Sequence, residues 1–255
     1  MFVTFRYIVL TAVRDRLMVG LTLALLGAVL VASFLGEATF MEARETALTF
    51  AGFSTRLILI TGLVLFVCFH VQRSFENREV DLMLSRPVSR TQFVLITWAG
   101  FSGVALMMAL VAVIVLPIAD MPPPGALGLW AASLVLEALL MVAVALFFSL
   151  SLRSAVASVM ASFGFYLAAR MTGFLLGIVQ SDWNSAASTA LGGMVSQAIY
   201  VVGLVLPRLD LFGQTWWLSY GDTEGGALIP VLAQAGVYLP LLLGAAVFDF
   251  RRRRF

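Results

Sequence analysis

The sequence predicts an all-α polytopic membrane protein with six transmembrane helices, an amphipathic N-terminal interfacial helix and a re-entrant segment before the last span. Composition is the first reason. Of the 255 residues, 61% are hydrophobic and 12% are charged, and the mean hydropathy is +1.01. Soluble domains have roughly 45–50% apolar and about 25% charged residues, so this chain has too few polar side chains to cover a water-soluble globule. The second reason is a series of uncharged runs long enough to cross a hydrocarbon core of roughly 30 Å.

The first three spans are separated by short charged connections. Span one, Leu17 to Gly36, is 20 residues without a charge. It exceeds the roughly 7–15 residues of a signal-peptide core, so we expect a retained helix. Span two runs from about Phe53 to Val71, with Arg56 near one end, and span three covers Thr91 to Ala119. Span three ends at a triple-proline turn, because stacked prolines cannot continue a helix.

The second half of the chain contains three further spans and one ambiguous stretch. The spans are 127–152, 154–179 and 225–248, and only Arg153 separates the first two. Residues 180–224 lie between spans five and six and include a largely apolar stretch from Met194 to Leu206. This stretch is well short of the roughly 20 residues that an ordinary spanning helix needs, so hydropathy alone leaves six or seven spans.

The arginines favour six spans. With six spans and a cytoplasmic N-terminus, 12 of the 16 arginines fall on the inner side, as the positive-inside rule requires. A seventh span would place the tetra-arginine run outside. We therefore expect the 194–206 stretch to re-enter from the outer face, both termini to be cytoplasmic, and residues 249–255 to form a basic tail. Residues 1–16 mix arginines with apolar side chains, which is typical of an interfacial helix, although a frayed anchor is the other interpretation.

The residue types that the sequence lacks exclude several kinds of chemistry. The chain contains no lysine, which excludes a phosphate-binding P-loop and a Schiff-base nucleophile. It has one cysteine, Cys68, and one histidine, His70, which exclude an intrachain disulfide and multi-histidine or cysteine-rich metal sites. Ser54 lies 16 residues, roughly 24 Å, from His70 along one predicted helix, too far for a serine-protease pair. We expect no enzyme activity, cofactor or metal in this chain, and no nucleic-acid partner, because its arginines flank apolar spans.

The longest inner loop, residues 73–90, joins spans two and three. Apolar side chains recur there at helical spacing between charged ones, and Pro87 ends the pattern, which predicts a short amphipathic helix. A solvated connection whose arginines only set the topology is the alternative. The side chains of interest in this predicted helix are Phe75, Glu76, Arg78, Glu79, Asp81, Leu82 and Arg86.

Two motifs resemble those of ATP-binding-cassette (ABC) exporter permeases. The string FENREVDLMLSRPVSRTQF, residues 75–93, resembles a loop in which an acidic residue precedes a Leu-Ser-Arg-Pro-Val-Ser-Arg turn. The segment from Ala198 to Phe212, followed by Trp-Trp-Leu-Ser-Tyr-Gly at 216–221, resembles the region before the last span of the same permeases. Within that family the chain is similar to the multicopper-enzyme-maturation type. Neither motif names a cargo, and we carry no copper chemistry over.

The resemblance implies a permease subunit of the bacterial inner membrane that works as an exporter. It would pair with a second permease copy, identical or related, and with cytoplasmic ATPase subunits that bind ATP and magnesium. In that family the loop corresponding to residues 73–90 forms a coupling helix against the ATPase. The seven side chains above are then ATPase contacts, and a second contact is expected at Arg153. The absence of lysine agrees with this division of labour between subunits.

Two charged residues, Glu137 and Arg170, stand alone inside the uncharged runs of spans four and five. An isolated charge at a helix centre costs about 2.5–3.5 kcal/mol, so such groups usually pair. Each lies roughly nine or ten residues from the outer end of its span, and the short link at Arg153 makes the spans antiparallel neighbours. We expect a contact between them, which either fixes the helix register or lies beside a cargo path. An ion-coupled secondary transporter using this pair is the alternative function.

Overall fold

The computed structural model describes residues 8, 10–12, 14–39, 42–77, 89–123, 125–180, 190–220 and 226–252. Within these ranges, 89% of the residues are helical and none lies in a strand. Six of the helices are long and apolar enough to cross a membrane. The predicted all-α polytopic fold is confirmed.

The helices are α1 (Arg16–Ala38), α2 (Ala43–Glu76), α3 (Arg90–Val115), α4 (Ala126–Ser151), α5 (Ala155–Gln180), α6 (Ala190–Val205), α7 (Trp216–Tyr220) and α8 (Leu228–Arg252). The 3-10 turn Leu116–Ile118 extends α3, and a second one, Leu209–Leu211, lies between α6 and α7. The span-length helices are α1 to α5 and α8.

Helix α2 is much longer than the predicted second span. Its 34 residues correspond to about 51 Å, against roughly 30 Å for the hydrocarbon core. It begins ten residues before Phe53, so Arg44 and Glu45 are helical rather than part of a connection. It also continues five residues beyond Val71, so the start of the predicted 73–90 loop belongs to its last turns. Charged residues stand in the first and last turns of the helix, which is why the uncharged run placed the boundaries too far inward.

Helix α4 forms the centre of the bundle. It contacts α2, α3, α5, α7 and α8. Every residue from Leu140 to Leu146 is buried. A helix that is apolar around its whole circumference is a buried helix, and α4 follows that rule. The exception is Glu137, which is also fully buried and needs partners of its own.

The described residues from Ile8 to Arg14 are helical, and Asp15 then caps α1. Ile8 and Ala12 are buried, whereas Leu10 and Arg14 are exposed. Ile8 packs against Gly100 of α3, where an added Cβ would lie 2.7 Å from the Ile8 Cδ1 atom. The interfacial helix expected over residues 1–16 lies partly outside the described residues and stays a prediction.

One end of the bundle carries most of the described arginines, and we call it the basic end. Helices α1, α3 and α5 begin there, and α2, α4 and α8 end there. Its arginines are Arg14, Arg16, Arg73, Arg90, Arg153, Arg251 and Arg252. This is the arrangement that the positive-inside rule associates with a cytoplasmic face.

Candidate functional site: a buried charge cluster and the basic end

Three charged side chains from three helices meet inside the bundle. Arg170 Nη1 on α5 lies 3.1 Å from Glu137 Oε1 on α4. Arg56 Nη1 on α2 donates to the other carboxylate oxygen, Oε2. We call Arg56, Glu137 and Arg170 the charge cluster. The contact expected between Glu137 and Arg170 is therefore present, and a second arginine shares the same carboxylate.

The helix positions bring these side chains to a similar depth. Given the rise of an α-helix, Arg56 lies roughly 20 Å after the start of α2, and Glu137 lies roughly 17 Å after the start of α4. By the same measure, Arg170 lies roughly 15 Å before the end of α5. Sequence reasoning missed Arg56 because it placed this residue near a span end. The available signal was that Arg56, like Arg170, stands alone within an apolar run.

Neutral polar groups extend the charge cluster. Arg56 Nη2 donates to Ser133 Oγ at 2.9 Å, and the Arg56 guanidinium lies 5.6 Å from the centre of the Trp130 ring. Arg170 Nη1 also donates to the Leu209 carbonyl oxygen at 3.2 Å. The buried Tyr166 side chain on α5 lies beside the Glu137 carboxylate. Side chains from α2 and α5 thus converge on one carboxylate of α4.

The cluster is buried and has one more positive than negative charge. The side chains of Arg56 and Glu137 are 1% and 0% exposed, and that of Arg170 is 18% exposed. Two buried N–H groups, Arg56 Nε and Trp130 Nε1, have no acceptor in the described part of the chain. Buried donors are normally satisfied, so this side of the cluster is suited to a water molecule or to an acceptor atom of a bound group.

A short irregular segment covers the cluster. In the stretch from Leu209 to Tyr220, which we call the cover segment, the buried apolar side chains are Leu209, Phe212, Trp217 and Leu218. Leu218 lies against Gly52 of α2, where an added Cβ would be 2.5 Å from Leu218 Cδ1. Gly213 lies directly against the Arg170 guanidinium. The cover segment therefore contacts helices that carry both arginines.

The part of the chain that packs inward differs from the stretch expected to re-enter the membrane. Residues 194–206 fall almost entirely in α6, where Met194, Tyr200 and Val205 are exposed. The cover segment, after Pro207, is the part that enters the bundle. Proline ends the helix, and the buried side chains that follow are spaced irregularly, so a hydropathy window does not detect them.

Polar side chains join helix ends at the basic end. Gln72 Nε2 on α2 donates to the Ser149 and Leu152 carbonyl oxygens at the end of α4, both at 3.0 Å. Arg90 Nη1 at the start of α3 donates to the Arg251 carbonyl oxygen of α8 at 2.9 Å. These donors satisfy carbonyl groups that a helix end leaves unpaired.

The start of α3 is also fixed locally. Ser89 and Gln92 form a capping box, in which each side chain accepts from the backbone N–H of the other residue. The Phe93 and Phe250 rings stack with centroids 5.4 Å apart, and Arg251 Nη2 donates to Thr91 Oγ1 at 2.9 Å. Both chain segments that flank the predicted coupling loop are thus anchored to the bundle, by Gln72 on one side and by Arg90 on the other.

Three of the eight predicted ATPase contacts lie in described residues. Phe75 is partly buried against the core, whereas Glu76 and Arg153 are exposed, and all three lie at the basic end. The other five lie outside the described residues: Arg78, Glu79, Asp81, Leu82 and Arg86. Across the described ranges, no group of three or more His, Cys, Asp or Glu side chains could hold a metal ion.

No family model matches the chain, and no curated protein matches it. The features that bear on function are therefore the two sequence motifs, the charge cluster and the joined helix ends.

Proposed function

We propose that the chain is the transmembrane permease subunit of an ABC exporter, driven by separate ATPase subunits that dock on the 73–90 connection. The observation that carries the proposal is the position of the predicted ATPase contacts. The 73–90 connection and Arg153 leave the bundle at the same end, where Gln72 joins the end of α2 to the end of α4. One soluble partner could therefore contact both connections.

The continuity of α2 provides a route from the docking face to the charge cluster. Glu76 ends the helix, and Arg56 lies about 30 Å away along the same uninterrupted helix. In this proposal, ATPase closure displaces the end of α2, and the rigid helix carries that displacement to Arg56. Glu137 and Arg170 then pass it to α4 and α5.

The same proposal includes a second permease copy, a bacterial inner membrane, and cytoplasmic termini at the basic end. Six spans make half of the usual permease pair. Secondary transport is the competing function, in which Glu137 would carry protons. Glu137 is fully buried and accepts hydrogen bonds from two arginines, so proton exchange would require the cluster to open.

The decisive experiment reverses the charge of the 73–90 connection. A tagged Glu79→Arg/Asp81→Arg chain, purified from its native membrane, is expected to lose an ATPase subunit that the wild-type chain retains in stoichiometric amount. ATP hydrolysis by the reconstituted complex should fall with it. The matched control is Glu37→Arg, an exposed carboxylate near the opposite end of α1. It should leave both the subunit and hydrolysis unchanged.

A wild-type preparation that transports its cargo in response to a proton gradient, without ATP and without an ATPase subunit, would contradict the proposal. Retention of the ATPase with full hydrolysis by the double variant would remove the docking assignment. Mass measurement of the reconstituted complex tests the second copy, and a functional complex with a single permease chain would exclude it.

A further inference from the structure

A cavity of about 350 Å³ lies at the basic end, between the residues around the start of α1 and the last turns of α2. Its volume falls in the range of small-ligand sites. The lining residues are Thr11, Asp15, Leu17, Phe66, Phe69, His70, Arg73, Ser74 and Asn77. The cavity belongs neither to the charge cluster nor to the joined helix ends.

The lining changes from apolar to polar along α2. Phe66 and Phe69 lie nearer the middle of the helix, whereas Arg73 and Asn77 lie in its last turns. Phe66 is buried and Phe69 is 48% exposed. The His70 ring lies between these zones and packs 5.5 Å from both the Phe66 and the Phe101 rings. A molecule in this cavity would contact aromatic rings toward the middle of the membrane and polar groups toward the water at the basic end.

The cavity presents one positive and one negative side chain that do not pair with each other. Arg73 is exposed and makes no ion pair within the described part of the chain. Asp15 caps α1, and its Oδ1 atom accepts from the Leu17 N–H at 2.9 Å, which fixes the carboxylate in place. A guanidinium binds phosphate well, and a carboxylate binds an ammonium group.

We propose that this cavity binds the headgroup of a membrane aminophospholipid, with the phosphate on Arg73 and the primary ammonium on Asp15. The position favours a lipid over a soluble phosphate compound. The cavity lies where α1 enters the membrane and α2 leaves it, and the exposed Phe69 ring offers apolar contact to the acyl chains. The assignment does not depend on the proposed function, because it requires only that α1 and α2 span a bilayer.

Native mass spectrometry of the full-length chain in detergent tests this site, with phosphatidylethanolamine and phosphatidylglycerol of identical acyl chains as probes. We expect the wild type to bind phosphatidylethanolamine more tightly. Arg73→Gln should weaken binding of both lipids, by about tenfold, as expected for one lost charge-assisted hydrogen bond. Asp15→Asn should abolish the preference for phosphatidylethanolamine, because asparagine carries no charge to bind the ammonium group. The helix should remain capped, since asparagine is also a good N-cap residue.

Arg252→Gln is the matched control, because Arg252 is an exposed arginine at the same end that packs on the Phe248 ring rather than in the cavity. It should leave binding unchanged. If Arg73→Gln and Arg252→Gln weaken lipid binding equally, the effect comes from general surface charge, and the assignment of the phosphate to Arg73 is wrong. If soluble glycerophosphoethanolamine binds as tightly as the lipid, the acyl chains contribute nothing and the proposal that the ligand is a membrane lipid is wrong. A wild type with no preference for the amine would overturn the role of Asp15.

Discussion

Glu137 is a single carboxylate with two arginine partners. This ratio determines how much stability is lost when each of the three residues is substituted. Arg56 and Arg170 bind different oxygens of the carboxylate, so each keeps a partner when the other is removed. Removing Glu137 instead leaves two positive charges facing each other in a buried site. Loss of one partner of a buried pair costs about 3–5 kcal/mol, since the remaining charge is uncompensated.

We expect Glu137→Gln to destabilise the fold more than Arg56→Met does. The double variant should be more stable than the sum of the two losses predicts, with a coupling of about 1–3 kcal/mol, because it removes both members of the pair. The measurement is unfolding of the purified chain in mixed detergent micelles, followed by tryptophan fluorescence. Arg44→Met is the control. Its ion pair with Asp120 is exposed, and such a pair contributes about 1 kcal/mol or less. Strictly additive losses at Arg56 and Glu137 would contradict the direct contact.

Sequence reasoning succeeded at Glu137 and Arg170 because an isolated charge in an apolar run is costly at any position in the fold. It failed at Gln72 and Arg90, because both act on backbone carbonyls of helices distant in the sequence. Such a contact leaves no residue pattern, since any helix end offers the same oxygen atoms. Only the packing of α2 against α4, and of α3 against α8, brings donor and acceptor together.

At the scale of single elements, the cover segment depends on close approach to its neighbours. Gly213 lies against the Arg170 guanidinium, and that guanidinium is fixed by Glu137 and by the Leu209 carbonyl. A Cβ at residue 213 has no space unless Arg170 moves. The cover segment and the charge cluster are therefore one packed unit.

We expect Gly213→Ala to displace Arg170 and to destabilise the chain by about 1–3 kcal/mol, the usual cost of overpacking. Gly128→Ala is the control, because an added Cβ there meets no atom within 4 Å and alanine favours a helix over glycine. The same detergent unfolding measurement applies. If both substitutions are neutral, the close contact at Gly213 is absent in the protein.

Helix α7 also meets α2 at a group that responds to pH. Hydrogen bonding to the nearby Glu45 carboxylate raises the pKa of Tyr220 above its usual value of 10.0. This interaction contributes fully below the pKa of an unfolded tyrosine and is lost as the pH rises through the higher, folded pKa. The predicted loss of stability therefore lies on the strongly alkaline side.

An ultraviolet titration of tyrosinate should show one phenol ionising later in the wild type than in Glu45→Gln. Replacing Tyr220 by phenylalanine should remove that late transition. Tyr200→Phe is a control of equal exposure, because both tyrosines are 59% exposed. If Glu45→Gln still shifts a phenol titration when Tyr220 is already phenylalanine, the shifted group is another tyrosine.

For the whole molecule, the number of long helices could be predicted from the sequence because it depends on length and hydropathy. The ends of α2 could not, since its apolar core is flanked by mixed polar turns that remain helical. The cover segment could not either, because its buried residues, such as Phe212 and Trp217, are few and follow no helical or strand period. Their burial results from the space that α2, α4 and α5 leave between them.

At the same scale, we expect the hydrogen bonds that join helix ends at the basic end to affect the coupling of ATP hydrolysis to transport more than they affect folding. Within the proposed function, we expect Arg90→Gln to leave the complex assembled but to lower transport per ATP hydrolysed, because the start of α3 then loses the hydrogen bonds from Arg90 to the α8 carbonyl oxygens. Transport and hydrolysis measured together in liposomes give that ratio. Arg252→Gln should keep the wild-type ratio. An unchanged ratio in Arg90→Gln would show that the Arg90 hydrogen bonds have no part in coupling.

The length of α2 restricts how this helix can move. Arg44 and Arg73 are about 44 Å apart along its axis, which matches the roughly 40–45 Å thickness of a bilayer including both headgroup layers. An upright α2 keeps one guanidinium in each headgroup layer, whereas a strongly tilted α2 draws both out of these layers toward the hydrocarbon boundary, where a charge is less well solvated. Rotation about the helix axis, or a small slide along it, avoids that cost. The two arginines therefore oppose tilting of α2 relative to the bilayer normal, but they do not oppose rotation about the helix axis.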